Sequence, residues 1–226
     1  MQQPTIISLG GSLIVPDDID HSFLKGFRDI IIKFVGKGFK FLIVTGGGKT
    51  TRRYQEAAKK IVPLSDEDLD WIGIHSTHLN GHLIRTIFRD YAHQKVLTHY
   101  SEKEEIEEPI TVGAGWKPGH STDFDSVMFA QLYGSDTVVN LSDVSYVYDK
   151  DPNKFADAKP LKKISWDDFR KVVGDVWVPG DNLPFDPIAC KKAQETGLKV
   201  VIMDGHNLVN FENFLQGKDS EGTVIK

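Results

Sequence analysis

The segment Thr111-Val-Gly-Ala-Gly-Trp-Lys-Pro-Gly-His-Ser-Thr-Asp123 decides the fold of this 226-residue chain. It starts as an apolar strand, continues as a loop with three glycines and a proline, and ends in a Ser-Thr-Asp sequence typical of a helix start. Glycines let backbone N–H groups turn toward an anion, and the following helix adds the positive end of its dipole. The segment therefore predicts an anion site where a strand passes into a helix.

Two similar units lie nearer the N-terminus. Gly10-Gly11-Ser12 follows the apolar run Thr5–Leu9, and Gly46-Gly47-Gly48-Lys49 follows the apolar run Phe39–Thr45. One such unit is as often a plain tight turn as a phosphate site, but three in one chain are hard to explain by turns alone. We therefore expect the three units to bind phosphate groups.

The second unit is similar to a P-loop but departs from that motif. A P-loop requires a glycine at position 43, where this chain has Ile43. What remains is a glycine turn that starts a helix, followed one turn later by Arg52 and Arg53. Because an arginine fork matches a phosphate group, we expect one of the two to bind phosphate and the other to lie in solvent.

Short apolar runs alternate with helical patterns, which predicts an α/β fold, a three-layer αβα sandwich around a mainly parallel sheet. The predicted strands are Thr5–Leu9, Phe39–Thr45, Lys95–His99, Pro109–Gly113, Thr137–Leu141 and Leu198–Met203. The predicted helices are Asp20–Val35, Lys49–Ile61, Asp66–Tyr91, Thr122–Tyr133, Ser165–Val173 and Asp186–Thr196. We expect a single domain over 1–226, with one lobe over 1–134 and a second over 135–226.

The composition excludes several classes of protein. A net charge of −5 and an isoelectric point near 5.9 argue against binding to nucleic-acid phosphates. The single cysteine, Cys190, excludes an internal disulfide and a cysteine-rich zinc site. The sequence has neither a signal peptide nor an apolar run long enough to span a membrane, so we expect a cytoplasmic protein with no membrane contact.

The predicted helix over Asp66–Tyr91 has two polar faces. One face combines a carboxylate, a small residue, a hydroxyl and an amide, at Asp70, Gly73, Thr77 and Asn80. This face is a poor core surface and a suitable site for hydroxyl groups and a polar ring. The other face carries His75, His78 and His82. No acidic residue shares it, so a surface or subunit contact is preferred to a metal site.

Polar residues also cluster beyond the predicted strand that ends at Leu141. Ligands of open α/β sheets bind at the carboxyl ends of strands. Asp143 is placed there to orient cations or a metal ion, and Tyr148 to flank a flat base. A surface hairpin is the alternative interpretation of this segment.

With these motifs the chain resembles the amino acid kinase superfamily nearly end to end, and within it the UMP kinases of the archaeal type. The motifs are Gly10-Gly-Ser12, Gly46-Gly-Gly-Lys-x-x-Arg52-x-Tyr54, Asp70-x-Ile-Gly-x-x-x-Thr77-x-x-Asn80, Pro118-Gly-His-Ser-Thr-Asp123, Tyr148-Asp-Lys-Asp-Pro152 and Phe185-Asp-Pro-Ile-Ala189. The resemblance implies the carbamate kinase-like fold and transfer of the ATP γ-phosphoryl group to UMP in pyrimidine nucleotide biosynthesis, with Mg²⁺. It also implies a homo-oligomer, a hexamer built as a trimer of dimers.

For this reaction we expect three groups of residues, and no residue set that forms a metal site of its own. The candidate catalytic residues are Gly11, Lys49 and Asp143, with Lys117 as second choice for the cation near the phosphates. The ATP side comprises Gly10, Gly11, Ser12, Ser142, Asp143, Tyr148, Asp151 and Pro152. The UMP side comprises Gly47, Gly48, Arg52, Asp70, Gly73, Thr77, Asn80, His120, Ser121, Thr122 and Asp123.

The chain also departs from the family pattern. Ser8 stands two residues before the first glycine pair, where many members have a lysine, although archaeal-type UMP kinases can also lack it. The run Leu141-Ser-Asp-Val-Ser145 looks more like acetylglutamate kinases. Two alternatives therefore stay open: a related phosphotransferase with another acceptor, and a non-catalytic nucleotide or oxyanion storage protein on the same scaffold.

Overall fold

The computed structural model describes residues 3–150, 152, 154–176 and 183–226. Their strands are β1 (Thr5–Leu9), β2 (Phe41–Thr45), β3 (Ala92–Leu97), β4 (Ile110–Gly113), β5 (Thr137–Ser142), β6 (Val147–Tyr148), β7 (Pro160–Leu161), β8 (Lys163–Ile164), β9 (Lys199–Asp204) and β10 (Thr223–Ile225). Their helices are α1 (Gly11–Ile14), α2 (His21–Val35), α3 (Gly48–Lys59), α4 (Asp66–Ile87), α5 (Thr122–Tyr133), α6 (Trp166–Val173), α7 (Pro187–Glu195) and α8 (Leu208–Leu215).

One eight-stranded sheet organises the molecule, in the order β3-β4-β2-β1-β5-β9-β10-β8. The first six strands in this order, which are β3, β4, β2, β1, β5 and β9, run parallel to one another. The seventh strand, β10, pairs antiparallel with β9. The carboxyl ends of β1, β2, β4, β5 and β9 therefore meet at one edge, where the three glycine-rich segments begin. The sheet is continuous across residue 134 through the pairing of β1 with β5, and the division into two lobes stays a prediction.

Helices cover both faces of the sheet, as the unbroken apolar strands require. In β1, Ile7 belongs to the core under α2 and α8, whereas its neighbour Ile6 belongs to the core under α5, α6 and α7. The same alternation separates Ile43 from Leu42 in β2. The three-layer αβα sandwich with a mainly parallel sheet is thus confirmed.

The ends of the helices follow the capping signals of the sequence. Side chains of Asp20, Ser65, Ser121, Ser165 and Asp186 each accept a backbone N–H at the start of α2, α4, α5, α6 and α7. All six predicted strands and all six predicted helices are present; the bounds of Thr5–Leu9 and Thr122–Tyr133 agree at both ends, and the others are shifted at one or both ends. The sequence analysis missed α1, α8 and the short strands β6, β7, β8 and β10, because these segments are too short or too weakly periodic.

No helix of the described ranges has the length and apolar character needed to cross a bilayer.

Two of the glycine turns pack directly against each other. A Cβ on Gly11 would lie 2.7 Å from the carbonyl carbon of Gly46 and closer still to the nitrogen of Gly48. A Cβ on Gly46 would lie 2.5 Å from the nitrogen of Gly11. Gly48 has a φ of +64°, which glycine adopts without strain. The glycines are therefore required by the contact between the turns after β1 and β2.

We predict that Gly11→Ala destabilises the fold by about 1–3 kcal/mol, since the added methyl group overlaps backbone that no side-chain rotation relieves. Gly36→Ala is the matched control, because Gly36 ends α2 with a φ of −62° and its nearest neighbour atom is 3.5 Å from the added Cβ. The control should be neutral or slightly stabilising. Urea unfolding of both variants measures this, and equal stability of the two contradicts the packing of the turns.

Candidate active site

A cavity of about 300 Å³ opens at the carboxyl edge of the sheet, between α3, α4 and the segment that leads into α5. It is lined by Gly11, Ser12, Gly47, Gly48, Thr51, Arg52, Gln55, Leu69, Asp70, Gly73, Ile74, Thr77, Gly115, Lys117, His120, Ser121, Thr122 and Asp125. We call it the first cavity. All three glycine-rich segments of the sequence contribute to it.

Several hydrogen-bond donors in the first cavity have no partner. The backbone N–H groups of Gly11 and Ser12 at the start of α1, and of Gly47 and Gly48 at the start of α3, donate to no acceptor within the described residues. Arg52 lies one turn into α3 and forms no ion pair within the same residues. Unpaired amides at helix starts together with a free guanidinium form an anion site. We call this set the amide cradle.

Arg52 and Arg53 have different surroundings, although they are adjacent in sequence. Arg53 pairs with Asp17 at 2.9 Å and lies 3.6 Å from Asp18, and about half of its side chain is exposed. Arg52 lines the first cavity. The residue pattern alone left the choice between the two arginines open, and the family resemblance named Arg52. In the structure Arg52 lines the cavity and Arg53 lies at the surface.

Helix α4 holds the walls of the first cavity together. Asn80 donates to the carbonyl oxygens of Gly46 and Gly47 at 2.8 and 3.2 Å. Thr77 accepts the N–H of Gly115 at 2.9 Å, and Asp70 accepts the N–H of Gly119 at 2.8 Å. Asn80 therefore supports the glycine turn from behind, whereas Asp70 and Thr77 line the cavity.

The start of α5 is occupied by carboxylates of the chain itself. Asp186 accepts the N–H of Ser121 at 2.6 Å and also caps α7. Asp123 accepts from the hydroxyl of Ser8 at 3.0 Å and from the N–H of Asp186 at 3.2 Å. Burial, with Asp186 as a neighbouring negative charge, raises the pKa of Asp123 to about 7. This helix start is therefore a weaker anion site than the amide cradle.

Asp125 and His120 lie near these carboxylates and line the first cavity. Burial, again with Asp186 as the next largest cause, raises the pKa of Asp125 well above its ordinary value. Burial lowers the pKa of His120. Both side chains are therefore held toward their neutral forms near pH 7.

A second cavity, of about 640 Å³, lies beyond the end of β5. It is lined by Ser142, Asp143, Val144, Tyr146, Val147, Tyr148, Asp149, Lys150, Pro152, Lys171, Val172, Leu183 and Pro184. Both of its lysines are paired with carboxylates, Lys150 with Asp157 at 2.6 Å and Lys171 with Asp168 at 2.8 Å. Asp143 has no hydrogen-bond partner among the described residues. Two carboxylates and two tyrosines at this edge of the sheet provide polar and aromatic surface for a large ligand.

Gly10 lies between the two cavities. Its N–H donates to the carbonyl oxygen of Leu141 at 2.8 Å, and a Cβ there would lie 3.5 Å from the Cα of Ser142. Gly11 and Ser12 thus line the first cavity, and Gly10 lies beside Ser142, which lines the second. A ligand that spans both cavities would pass over this turn.

The structure brings most of the predicted residues to the two cavities, with five exceptions. Lys49 lines neither cavity, and its N–H donates to the carbonyl of Val15 at 3.0 Å. Asn80 and Asp123 lie behind the first cavity because backbone groups engage their side chains. Gly10 also lines neither cavity, and its N–H donates to the carbonyl oxygen of Leu141. Asp151 lies outside the described residues.

The sequence analysis missed several residues that line the cavities. Thr51, Gln55 and Asp125 lie in the first cavity, and Tyr146 and Lys150 lie in the second. The first two follow the glycine turn at helical spacing, which places them on the face of α3 that carries Arg52. Asp125 had no sequence signal, since a carboxyl group early in a helix is typical of solvent-exposed positions.

The predicted histidine face of α4 divides between surface and interior. His75 is exposed and stacks on Trp71, with ring centroids 6.1 Å apart. His78 reaches the carbonyl oxygen of Gly115 through Nε2 at 2.7 Å. In the described part of the chain, no group of three or more His, Cys, Asp or Glu side chains could hold a metal ion.

Comparisons with known proteins agree with one another. The model of the amino acid kinase family matches residues 3–204. The chain is 32% identical to the uridylate kinase of Pyrococcus abyssi over 98% of both chains. It is also 32% identical to the uridylate kinase of Thermoplasma volcanium, over 100% of this chain and 99% of that relative. The crystal structure of uridylate kinase from Archaeoglobus fulgidus superposes with a TM-score of 0.83 at 28% identity, over 99% of this chain and 100% of the other.

We predict that Asp123→Asn changes how stability depends on pH. The unfolded chain releases the Asp123 proton near pH 4 and the folded chain near pH 7, so the folded state binds more protons between these values. The wild-type protein should therefore lose stability relative to the variant as the pH rises from about 4 to 7, with a constant difference above 7. Urea unfolding across this range measures it, with Asp219→Asn, an exposed site, as control. A difference that does not vary with pH contradicts the raised pKa.

Proposed function

The chain belongs to the amino acid kinase family, and on this premise we propose that it is an enzyme that transfers the γ-phosphoryl group of ATP to UMP. The products are UDP and ADP, and the reaction serves pyrimidine nucleotide biosynthesis. The relatives over the whole chain length are uridylate kinases. The single observation that carries the proposal is the amide cradle, in which four unpaired N–H groups and the free Arg52 meet in one cavity.

UMP occupies the first cavity in this proposal. The amides of Gly47 and Gly48 and the guanidinium of Arg52 hold its phosphate, because they are the unpaired donors of that wall. Asp70, at the edge of the same cavity, accepts hydrogen bonds from ribose hydroxyls in addition to the N–H of Gly119. The phosphate of UMP is itself the nucleophile and is an anion at neutral pH, so no strong general base is needed.

ATP occupies the second cavity, with its phosphates toward Gly10-Gly11-Ser12. Gly11 and Ser12, whose N–H groups are unpaired, line the first cavity, where the β- and γ-phosphates meet the acceptor in this proposal. Phosphoryl transfer requires in-line placement of donor and acceptor and stabilisation of the charge on the moving group. The turn between the two cavities supplies the placement.

The cation beside the moving phosphoryl group is Lys117 in this proposal, in place of Lys49. Lys117 lines the first cavity, rests over the ring of Trp116 at 4.6 Å, and forms no ion pair among the described residues. Lys49 lines neither cavity. Lys117 and Arg52 are thus the cations of the first cavity that are free to meet phosphate groups.

Mg²⁺ accompanies ATP in this proposal and supplies charge neutralisation at the phosphates. Asp143 suits this ion, since it lines the second cavity with its carboxylate unpaired among the described residues. Mg²⁺ typically takes one or two carboxylates, with phosphates and water completing its shell. A single carboxylate is therefore sufficient.

The cytoplasmic location expected from the sequence stays a prediction.

We also propose self-association through α3 and α4, with the hexamer expected from the resemblance as its largest form. Large apolar side chains are exposed on these packed helices and their connection, at Tyr54, Ile61, Val62, Trp71 and Leu79. Exposed apolar groups that cluster on one face mark contact surfaces.

Leu79→Glu should reduce the molecular mass measured by size-exclusion chromatography with light scattering, because it places a charge in the apolar contact. Leu79 is 63% exposed, and Val209→Glu, at a residue that is 73% exposed on α8, serves as control. A mass unchanged in both variants argues against this surface.

ADP release in the presence of ATP and Mg²⁺ tests the proposed reaction. UMP should support turnover, whereas acetylglutamate and buffer should not. Binding of ATP without turnover on any acceptor would support the storage alternative.

Arg52→Ala should raise KM for UMP by about 10- to 100-fold and leave KM for ATP nearly unchanged, since it removes one charge-assisted contact to the acceptor phosphate of about 1.5–3 kcal/mol. Arg53→Ala is the matched control and should change neither constant, because Arg53 pairs with surface carboxylates. Initial rates with each substrate varied in turn give both values. Equal effects on both substrates would place Arg52 outside the acceptor site.

A further inference from the structure

A third cavity, of about 470 Å³, lies at the edge of the sheet opposite the first and second cavities. Its walls come from the starts of β2 and β4, the end of α5 and the segment 103–109. A strand of the length of β2 spans roughly 15 Å, so the third cavity is well separated from the first. Among the described residues, none that was assigned above to ATP or UMP lines it. Its volume lies within the range of small-molecule sites.

Apolar side chains line much of the third cavity. Leu42 of β2 lies in the core beneath α5, and Tyr133 and Ile106 pack against the same core. Pro4 and Pro109 add to this apolar surface. Apolar surface in contact with water gains free energy when the apolar part of a ligand covers it. The third cavity therefore suits a ligand with an apolar body.

One buried polar side chain of the third cavity has no partner. Thr111 is only 5% exposed, and its hydroxyl forms no hydrogen bond with any described residue. Thr111 pairs in register with Leu42, so both side chains lie on the face of the sheet beneath α5, where the cavity is. The hydroxyl is not among the unpaired polar atoms that protein encloses completely, so it reaches the cavity. A nearly buried hydroxyl without a partner indicates a ligand group that bonds to it.

The lining of the third cavity carries a net negative charge. Four glutamates and two lysines contribute to it, namely Glu104, Glu105, Glu107, Glu108, Lys40 and Lys103. Both lysines are already engaged by the chain. Lys40 donates to the carbonyl oxygen of Glu107 at 3.2 Å, and Lys103 lies over the ring of Tyr133 at 5.4 Å from its centroid. The lining is therefore better suited to a cation than to an anion.

The four glutamates divide into an engaged pair and a free pair. His93 of β3 lies 3.6 Å from Glu104 and 3.1 Å from Glu108. The carboxylates of Glu105 and Glu107 are exposed and form neither a hydrogen bond nor an ion pair within the described part of the chain. Exposed carboxylates alone indicate only a solvated surface. Here they line a cavity that also has apolar surface and an unpaired hydroxyl.

We propose that the third cavity binds a small organic cation, in which an ammonium group is joined to an apolar body that ends in a hydroxyl group. Glu105 and Glu107 hold the ammonium group, because their carboxylates are free. The apolar body covers Leu42 and Tyr133, and its hydroxyl bonds to Thr111. This site lies at the other edge of the sheet from the amide cradle, and it does not depend on the function proposed above.

Tyramine is the probe for this site, since it joins an ammonium group to a phenol ring. Tyrosol replaces the ammonium with a neutral hydroxyl, and 3-(4-hydroxyphenyl)propionate replaces it with a carboxylate. In NMR titrations of the full chain, tyramine should bind with a Kd below about 1 mM. Tyrosol should bind at least about tenfold more weakly, and the propionate should not bind.

Two double variants locate the ammonium group. Glu105→Gln with Glu107→Gln should weaken tyramine binding by about tenfold or more and remove its preference over tyrosol. The matched control is Glu56→Gln with Glu102→Gln, which changes the net charge equally at exposed glutamates that line none of the three cavities. The control should bind all three probes as the wild type does.

Thr111→Val locates the other end of the ligand, because valine keeps the shape of threonine without its hydroxyl. This variant should weaken tyramine binding by about three- to tenfold. Phenethylamine, which lacks the phenol hydroxyl, should bind the variant at least as tightly as it binds the wild type.

Each contrary result overturns the inference. Absence of tyramine binding to the wild type removes the site. Equal binding of tyrosol means that the cavity takes an uncharged apolar ligand, and tighter binding of the propionate means that Lys40 and Lys103 dominate. Unchanged tyramine binding in the Glu105 and Glu107 variant, or an unchanged preference for tyramine over phenethylamine in Thr111→Val, places the probe elsewhere. All arms measure binding directly, so failure of the proposed reaction with UMP leaves these results unaffected.

Discussion

The direct contact between the turns after β1 and β2 is the constraint on which the rest of this structure depends. At Gly11 and Gly46, backbone meets backbone at a distance that leaves no room for a Cβ atom. This approach brings the starts of α1 and α3 together, so that four residues with unpaired amide groups line one cavity. Asn80 then fixes the second turn from behind through two carbonyl oxygens. The anion site is thus a consequence of close packing between two loops.

The distribution of charge around the cavities follows from which helix starts are already occupied. At α5 and α7 the amides are bonded to the chain's own carboxylates, Asp123 and Asp186. At α1 and α3 no side chain caps the helix. A ligand phosphate therefore finds its donors at α1 and α3.

Sequence patterns predicted the glycine turns, the strand and helix order, and Arg52 as one of two candidates, because these features depend on local periodicity and on backbone freedom. They did not predict that Lys49 would lie outside the cavities while Lys117 lines one of them. Sequence position does not determine which of these two lysines reaches a cavity, since this depends on the direction in which each loop leaves the sheet. Asp125 gave no signal, since its importance comes from burial.

The sequence by itself determined the fold class, the family and the segments that meet at the carboxyl edge of the sheet. Unbroken apolar strands must be covered on both faces, and parallel strands must end together. Only the tertiary structure decided which donors stay free and which polar atoms are buried without a partner. Burial, hydrogen-bond pairing and the protonation of His120 depend on groups such as Asp186 and Asp70 that are distant in the chain. They follow from distances in space that no local pattern encodes.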